Sequence, residues 1–318
     1  MVRKVLLASP RGYCAGVERA VETVERALEL YGRPVYVRRQ IVHNLHVVRD
    51  LEARGAIFVE EETDVPEGET VVFSAHGVAP SVHEHAAERR LNTIDATCPL
   101  VTKVHVQARR YANEGYTIVL IGHAGHEEVV GTMGEAPGRI VLVESVEDVE
   151  RLSFPPGTKL AYVTQTTLSV DETTDIITAL RARFPDVYAP KKEDICYATS
   201  NRQWAVKEML GEIDLLLVIG SRNSSNSNRL AEVARAGGVA AHLIDDESEI
   251  DETWLDGPEV VGITSGASAP EKLVQRVCDW FRVRGITSIE PYRLVDEGVE
   301  FRLPVELRRE LELAEAQR

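Results

Sequence analysis

The chain has 318 residues, four of them cysteine, and a formal net charge of −15. That length allows two or three domains with real cores, and the acidity argues against nucleic acid and anionic membrane surfaces as partners. No apolar run reaches the ~18 residues of a membrane span, the start Met1-Val2-Arg3-Lys4 leads straight into a strand without a signal peptide, so a cytoplasmic location is expected, and four cysteines in so long a chain make no disulfide framework.

In chain order the pattern is strand, small polar loop, helix, many times over. This is the alternation of an α/β protein with parallel sheets. Val5 to Ala8 reads as a buried strand, followed by a Pro–Gly turn, Cys14, and a helix with apolar positions at Val17, Val21, Val24, Leu28 and Tyr31 that stops at Gly32. A strand over Val35 to Val42 runs into His43 and Asn44, then a helix from Leu45 to Ala53. The strand Thr70 to Ser74 ends in Ala75-His76-Gly77, with a helix from about Pro80. Asn92 to Ala96 leads to Thr97-Cys98-Pro99, where Pro99 fits the first helical position. Tyr116 to Ile121 is a strand that runs into the loop Gly122 to Glu128. Lys159 to Val163 ends in Thr164-Gln165-Thr166-Thr167, and Ser169 with Glu172 forms a capping box. Cys196 precedes a helix through Trp204 and Met209. Leu215 to Ile219 is a strongly apolar strand before the run Asn223 to Asn228. Val260 to Thr264 is a strand before Ser265 to Pro270 and a helix to Val283. Residues 286–318 hold one or two strand-like pieces and a charged end expected to fray.

A threefold repeat runs beneath this order. Cys14, Cys98 and Cys196 each stand between a strand and a helix, spaced by about one small α/β unit. Each segment carries two further polar strand-to-helix loops: His43 and His76 in the first, His126 with Glu128 and then Thr166 in the second, Ser224-Ser225-Asn226 and then Ser268 in the third. The expected architecture is three similar small α/β lobes, with mainly parallel sheets, around a pseudo-threefold axis and a central metal site. The lobes are residues 14–97, 98–195 and 196–285, with residues 1–13 completing the third and 286–318 forming a C-terminal tail. Ligands of open parallel sheets bind beyond the carboxyl ends of the strands, where all these residues lie. The fourth cysteine, Cys278, falls on the apolar face of its helix with Val274, Val277 and Phe281 and reads as core.

One such cysteine alone reads first as a small buried hydrophobe. Three at helix N-termini, where dipoles favour anions, could hold zinc or an iron–sulfur cluster. The chain lacks the close C-x-x-C pair common in zinc sites, and three distant ligands suit a cube held at three corners. Any one His at a strand end is commonly structural, but His43, His76 and His126 at equivalent junctions point to a common role. With Ser, Thr, Asn and helix N-terminal amides they could hold a diphosphate without Lys or Arg, which reconciles a phosphate ligand with the net charge. Glu128 is either a solvated surface acid or a proton relay.

Together the motifs resemble one family. The stretches Pro10 to Val17, Gln40 to Asn44, Ser74 to Gly77, Asp95 to His105, Gly131 to Gly134, Thr164 to Ser169, Ile195 to Thr199, Gly220 to Leu230 and Ser265 to Pro270 are similar to those of the 4-hydroxy-3-methylbut-2-enyl diphosphate reductases, iron–sulfur oxidoreductases that close the non-mevalonate isoprenoid pathway. The resemblance implies one [4Fe–4S] cluster with an open iron, ligated by Cys14, Cys98 and Cys196. It implies substrate contacts from His43, His76, His126, Thr166, Ser224, Ser225, Asn226 and Ser268, and a proton relay at Glu128. It further implies electrons from a ferredoxin or flavodoxin and products isopentenyl and dimethylallyl diphosphate. The competing reading is a zinc-dependent hydrolase of a phosphorylated small molecule. Two positions depart from the family pattern: Glu127 stands where Pro is usual, and Ser200 where Thr is common. Arg11, Arg19, Lys191 and Lys192 are candidates for docking an acidic electron donor.

Overall fold

The run Lys4–Ser9 is buried along its centre on both faces, as a parallel strand covered by helices must be. The computed structural model describes residues 2–316. Met1 and residues 317–318, which the third-lobe and tail assignments include, lie outside the described residues. In chain order the elements are β1 (Lys4–Ser9), α1 (Ala15–Tyr31), β2 (Val35–Arg38), α2 (Leu45–Arg54), β3 (Ala56–Val59), β4 (Thr70–Phe73), α3 (Pro80–Glu88), β5 (Asn92–Asp95) and α4 (Pro99–Asn113). They continue with β6 (Thr117–Ile121), α5 (Glu127–Gly134), β7 (Ile140–Val143), α6 (Val146–Arg151), β8 (Leu160–Thr164) and α7 (Val170–Arg183). The last are α8 (Tyr197–Met209), β9 (Leu215–Ile219), α9 (Ser225–Ala236), β10 (Ala240–Ile244), β11 (Val260–Ser265), α10 (Glu271–Val283), β12 (Ile289–Arg293) and α11 (Val305–Ala316).

The strands form three sheets, ordered β10-β9-β11-β1-β12, β3-β2-β4-β5 and β7-β6-β8. Every strand pairing within them is parallel. The protein is thus α/β with three parallel-sheet lobes. The chain also divides into two compact units. One comprises Met1–Val17, His43–Val47 and Tyr197–Glu300 and holds the five-stranded sheet. The other comprises Glu18–Val42, Val48–Cys196 and Phe301–Arg318 and holds the other two.

Alternation along each strand splits the cores. In the five-stranded sheet Val5 and Leu7 pack with Leu273, Val277 and Phe281 of α10, while Leu6 and Ala8 pack with Met209 of α8 and Leu230 and Ala234 of α9. In the three-stranded sheet Ile118 and Leu120 meet Val104, Ala108 and Tyr111 of α4, while Val119 and Ile121 meet Ile176 and Leu180 of α7. Each fully buried side chain of this size contributes roughly 1.5–3 kcal/mol. Cys278 is wholly buried among them, and burial pushes its thiol pKa up, as a core cysteine's should be.

Each sheet has one switch point, where strand order reverses and adjacent loops part to leave a crevice. It lies between β9 and β11, between β2 and β4, and between β6 and β8. The loops leaving these six strands carry Ser224 and Ser268, His43 and His76, and His126 and Thr166, in that order. The strand beyond each second loop is followed by a cysteine: β1 by Cys14, β5 by Cys98, and the bridge of Tyr188 to Ala161 by Cys196. The repeat is therefore topological, one cysteine and two switch-point loops per sheet.

Some elements differ from the sequence expectation. β2 ends at Arg38 and not at Val42, because Arg39 adopts φ +53 and turns the chain out of the sheet. β3 and β10, both on sheet edges, add to the expected strands: β3 is only four residues long, and His242 interrupts the apolar run of β10. The charged end is the helix α11, anchored by the fully buried Leu307.

Candidate functional site

In the unit holding the five-stranded sheet, Cys14 directly precedes α1. The turn before it needs a left-handed residue, supplied by Gly12 at φ +71. The Gly12 N–H donates to Ser265 Oγ at 2.7 Å and the Cys14 N–H to the Ala267 carbonyl at 3.1 Å, fastening this turn to the loop after β11. The guanidinium of Arg202, fully buried, donates to the Gly12 carbonyl at 2.9 Å and pairs with Glu297 at 3.1 Å. Ser268 Oγ donates to the His43 carbonyl at 2.9 Å, and Asn223 Nδ2 lies 3.3 Å from His43 Nδ1. Ser224 caps α9, its oxygen accepting from the Ser227 N–H. Ser225 and Asn226 follow in the first turn, where N–H groups have no intrahelical partner. Among the described residues neither side-chain polar atom of buried Asn226 has a hydrogen-bond partner. Leaving such a group unpaired costs about 1–3 kcal/mol, so the amide fits a polar ligand. This unit thus brings together Cys14, His43, Ser224, Ser225, Asn226 and Ser268.

In the other unit a chain of contacts joins the remaining residues. Cys98 is the N-cap of α4 with Pro99 behind it, and its thiol makes no capping bond. Its N–H donates to the Ala75 carbonyl at 3.0 Å, next to His76. The rings of His76 and His126 meet edge to face at 5.9 Å between centroids. His126 caps α5, its Nδ1 accepting from the Glu128 N–H at 3.2 Å. Glu128 accepts from the Thr166 N–H at 2.6 Å and from the Thr166 hydroxyl at 2.9 Å. The Cys196 N–H in turn donates to the Thr166 carbonyl at 3.0 Å.

Two pKa values are displaced in opposite senses. Burial pushes Glu128 up to about 7, outweighing the two Thr166 hydrogen bonds that favour its carboxylate. Burial, with the neighbouring charge of His76, lowers His126 to about 4, so His126 is neutral at pH 7. A protonated acid beside neutral, polar donors is an arrangement able to deliver a proton.

Several supporting roles escaped the sequence reading. Arg19 donates to the carbonyls of Ala96 and Thr97 at 2.9 and 3.0 Å and so holds the turn before Cys98. Asp194, buried, accepts from Lys103, Gln107 and the Thr164 N–H, tying the turn before Cys196 to α4 and β8. Arg11 pairs with Glu271 at 2.8 Å. Arg11 and Arg19, expected as docking cations, are thus engaged within the fold. Ser74 and Glu127 stand against His76, and only their place in switch-point loops signals it.

The donor set fits a cluster. None of the four cysteines forms a disulfide among the described residues, and Cys14, Cys98 and Cys196 are partly exposed while Cys278 is not. Each of the three stands at a helix start, where thiolate charge is stabilised.

The sequence matches the family described as LytB protein over residues 5–282. It is 62% identical to a 4-hydroxy-3-methylbut-2-enyl diphosphate reductase of Acidothermus cellulolyticus, over 97% of this chain and 91% of that one. A protein of the same name from Streptomyces coelicolor is 59% identical over 97% of this chain and 92% of that one. The solved structure of the E-1-hydroxy-2-methyl-but-2-enyl-4-diphosphate reductase from Plasmodium falciparum superposes with a TM-score of 0.95 at 39% identity, covering 100% of this chain and 99% of that one.

Proposed function

The chain belongs to the LytB protein family, and from that membership we propose that it reductively dehydroxylates (E)-4-hydroxy-3-methylbut-2-enyl diphosphate to isopentenyl and dimethylallyl diphosphate. The observation that carries the proposal is identity of 62% to a reductase of that name over 97% of the chain. Each turnover consumes two electrons and two protons and releases water. Cys14, Cys98 and Cys196 would hold a [4Fe–4S] cluster, which when bound would supply the electrons and a Lewis acid for the substrate hydroxyl.

The chain's own residues bind the diphosphate and manage protons. Ser224, Ser225, Asn226 and Ser268, with the first turn of α9, supply neutral donors that need no excess of Lys or Arg. His43, His76 and His126 add ring N–H donors. Glu128, whose pKa is near 7, holds a proton for much of the population at neutral pH, and Thr166 orients its carboxyl group. Glu128 gives that proton to the substrate side of the reaction, so the leaving oxygen departs as water. A ferredoxin or flavodoxin in the same compartment, the cytoplasm, is the electron source. Neither the family match nor the relatives support a zinc-dependent hydrolase.

The test is anaerobic purification of the protein and of four cysteine variants. Cys14→Ala, Cys98→Ala and Cys196→Ala should each lose the brown cluster absorbance and activity, while Cys278→Ala keeps both. Cluster loss in Cys278→Ala, or a colourless, zinc-replete parent protein, contradicts the ligand assignment.

A further inference from the structure

Glu127 lies beside the substrate residues, yet no step above uses it. Its Oε2 is 3.4 Å from His76 Nδ1, and both side chains are largely buried, at 15% exposure each. Ser74 Oγ completes the triangle, 3.3 Å from His76 Nδ1 and donating to Glu127 Oε2 at 3.4 Å. A buried acid next to an anionic substrate is repulsive, so its presence needs a reason. Its position against the imidazole gives one.

We propose that Glu127 is a positioning residue for substrate binding: with Ser74 it fixes the proton on His76 Nδ1 and supports the imidazolium, so that Nε2 donates to the diphosphate. The inference rests on the diphosphate reading of this site. An imidazole has two nitrogens. When Nδ1–H is directed at a carboxylate, Nε2 is an acceptor in the neutral ring and a donor in the cation. Only the donor form attracts phosphate oxygens, and a carboxylate at Nδ1 favours it. The carboxyl group is itself held ionised. Burial raises its pKa, but the His76 hydrogen bond and the charges of His76, Arg39 and His126 outweigh burial and leave it below the ordinary value.

Other titratable groups face this pair. His126 lies against the His76 ring and is neutral above its pKa of about 4. His123 is near His126, and Arg39 is near Glu127, itself paired with Glu61 at 3.1 Å. Glu128 feels the charge of His76 and titrates near 7. Comparing the parent protein with a single Glu127 variant keeps these neighbours constant.

The experiment uses the holoprotein and Glu127→Gln, which preserves shape and removes the charge. Inorganic diphosphate binding is measured by calorimetry at pH 6 and pH 8. The two proteins should bind within about twofold of each other at pH 6. At pH 8, where the support of the Glu127 carboxylate matters most, the variant should bind about tenfold more weakly. Carbethoxylation of His76 at pH 7, followed by mass spectrometry, reports the neutral imidazole without any ligand, and should be several-fold faster in the variant. A variant that binds as well or better at pH 8, that is weakened equally at both pH values, or that leaves the carbethoxylation rate unchanged overturns the inference. If the parent protein binds no diphosphate while the His76 rate still responds to Glu127→Gln, the substrate reading of the site fails and the Glu127–His76 coupling stands alone.

Discussion

At the residue scale the site separates two ionisations that chemistry needs apart. Glu128 is wholly enclosed and its acid form is favoured, whereas His126 is kept neutral. Their linkage to stability has opposite signs. The raised Glu128 pKa gives stability that is fully present below pH 4.5 and is lost as pH rises through about 7, a loss of about 3 kcal/mol for 2–3 units. The lowered His126 pKa gives stability present above pH 6.5 and lost as pH falls toward about 4. Glu128→Gln cannot ionise. Denaturant titrations should show it gaining on the parent between pH 5 and pH 8, while its kcat falls ~100-fold or more for want of a proton donor. Equal pH slopes of stability in the two proteins would contradict the buried-acid assignment.

At the element scale, strand-to-loop-to-helix order was legible wherever a strand is buried on both faces. Val5 to Ala8, Tyr116 to Ile121 and Leu215 to Ile219 announce themselves as apolar runs, and all three cysteine junctions follow from them and their neighbours. Two edge strands were not legible: β3 is only four residues long, and His242 interrupts the apolar run of β10. Nor was the support of the junctions, since Arg19, Asp194 and Arg202 act on carbonyls and amides far away in sequence. The contact of Glu127 with His76 links two loops of different sheets, and no local pattern encodes that. The family resemblance supplied the ligand roles that spacing left open between zinc and a cluster. Packing of α5 against the start of α3 places His126 and Glu128, and it depends on Gly134. A Cβ there would overlap that of Ala79. Gly134→Ala should therefore cost about 1–3 kcal/mol and lower kcat with it, checked by thermal unfolding and turnover of one preparation. Unchanged stability would show that α5 can shift freely.

At the scale of the whole molecule, a chain of net charge −15 is read as carrying an anionic cofactor and an anionic substrate. Helix N-termini, hydroxyls, amides and imidazoles supply attraction locally where bulk charge would repel. Among the described residues no helix is long and apolar enough to cross a membrane. With Arg11 and Arg19 engaged internally, Lys191 and Lys192 are the remaining cations near a cysteine turn proposed to meet an acidic electron donor. The most direct test is anaerobic turnover of (E)-4-hydroxy-3-methylbut-2-enyl diphosphate by the iron-replete protein with a reduced one-electron donor. The account predicts consumption of two electrons per substrate and formation of isopentenyl and dimethylallyl diphosphate. Substrate left unchanged by cluster-loaded protein, or converted equally well by protein stripped of iron, would contradict it.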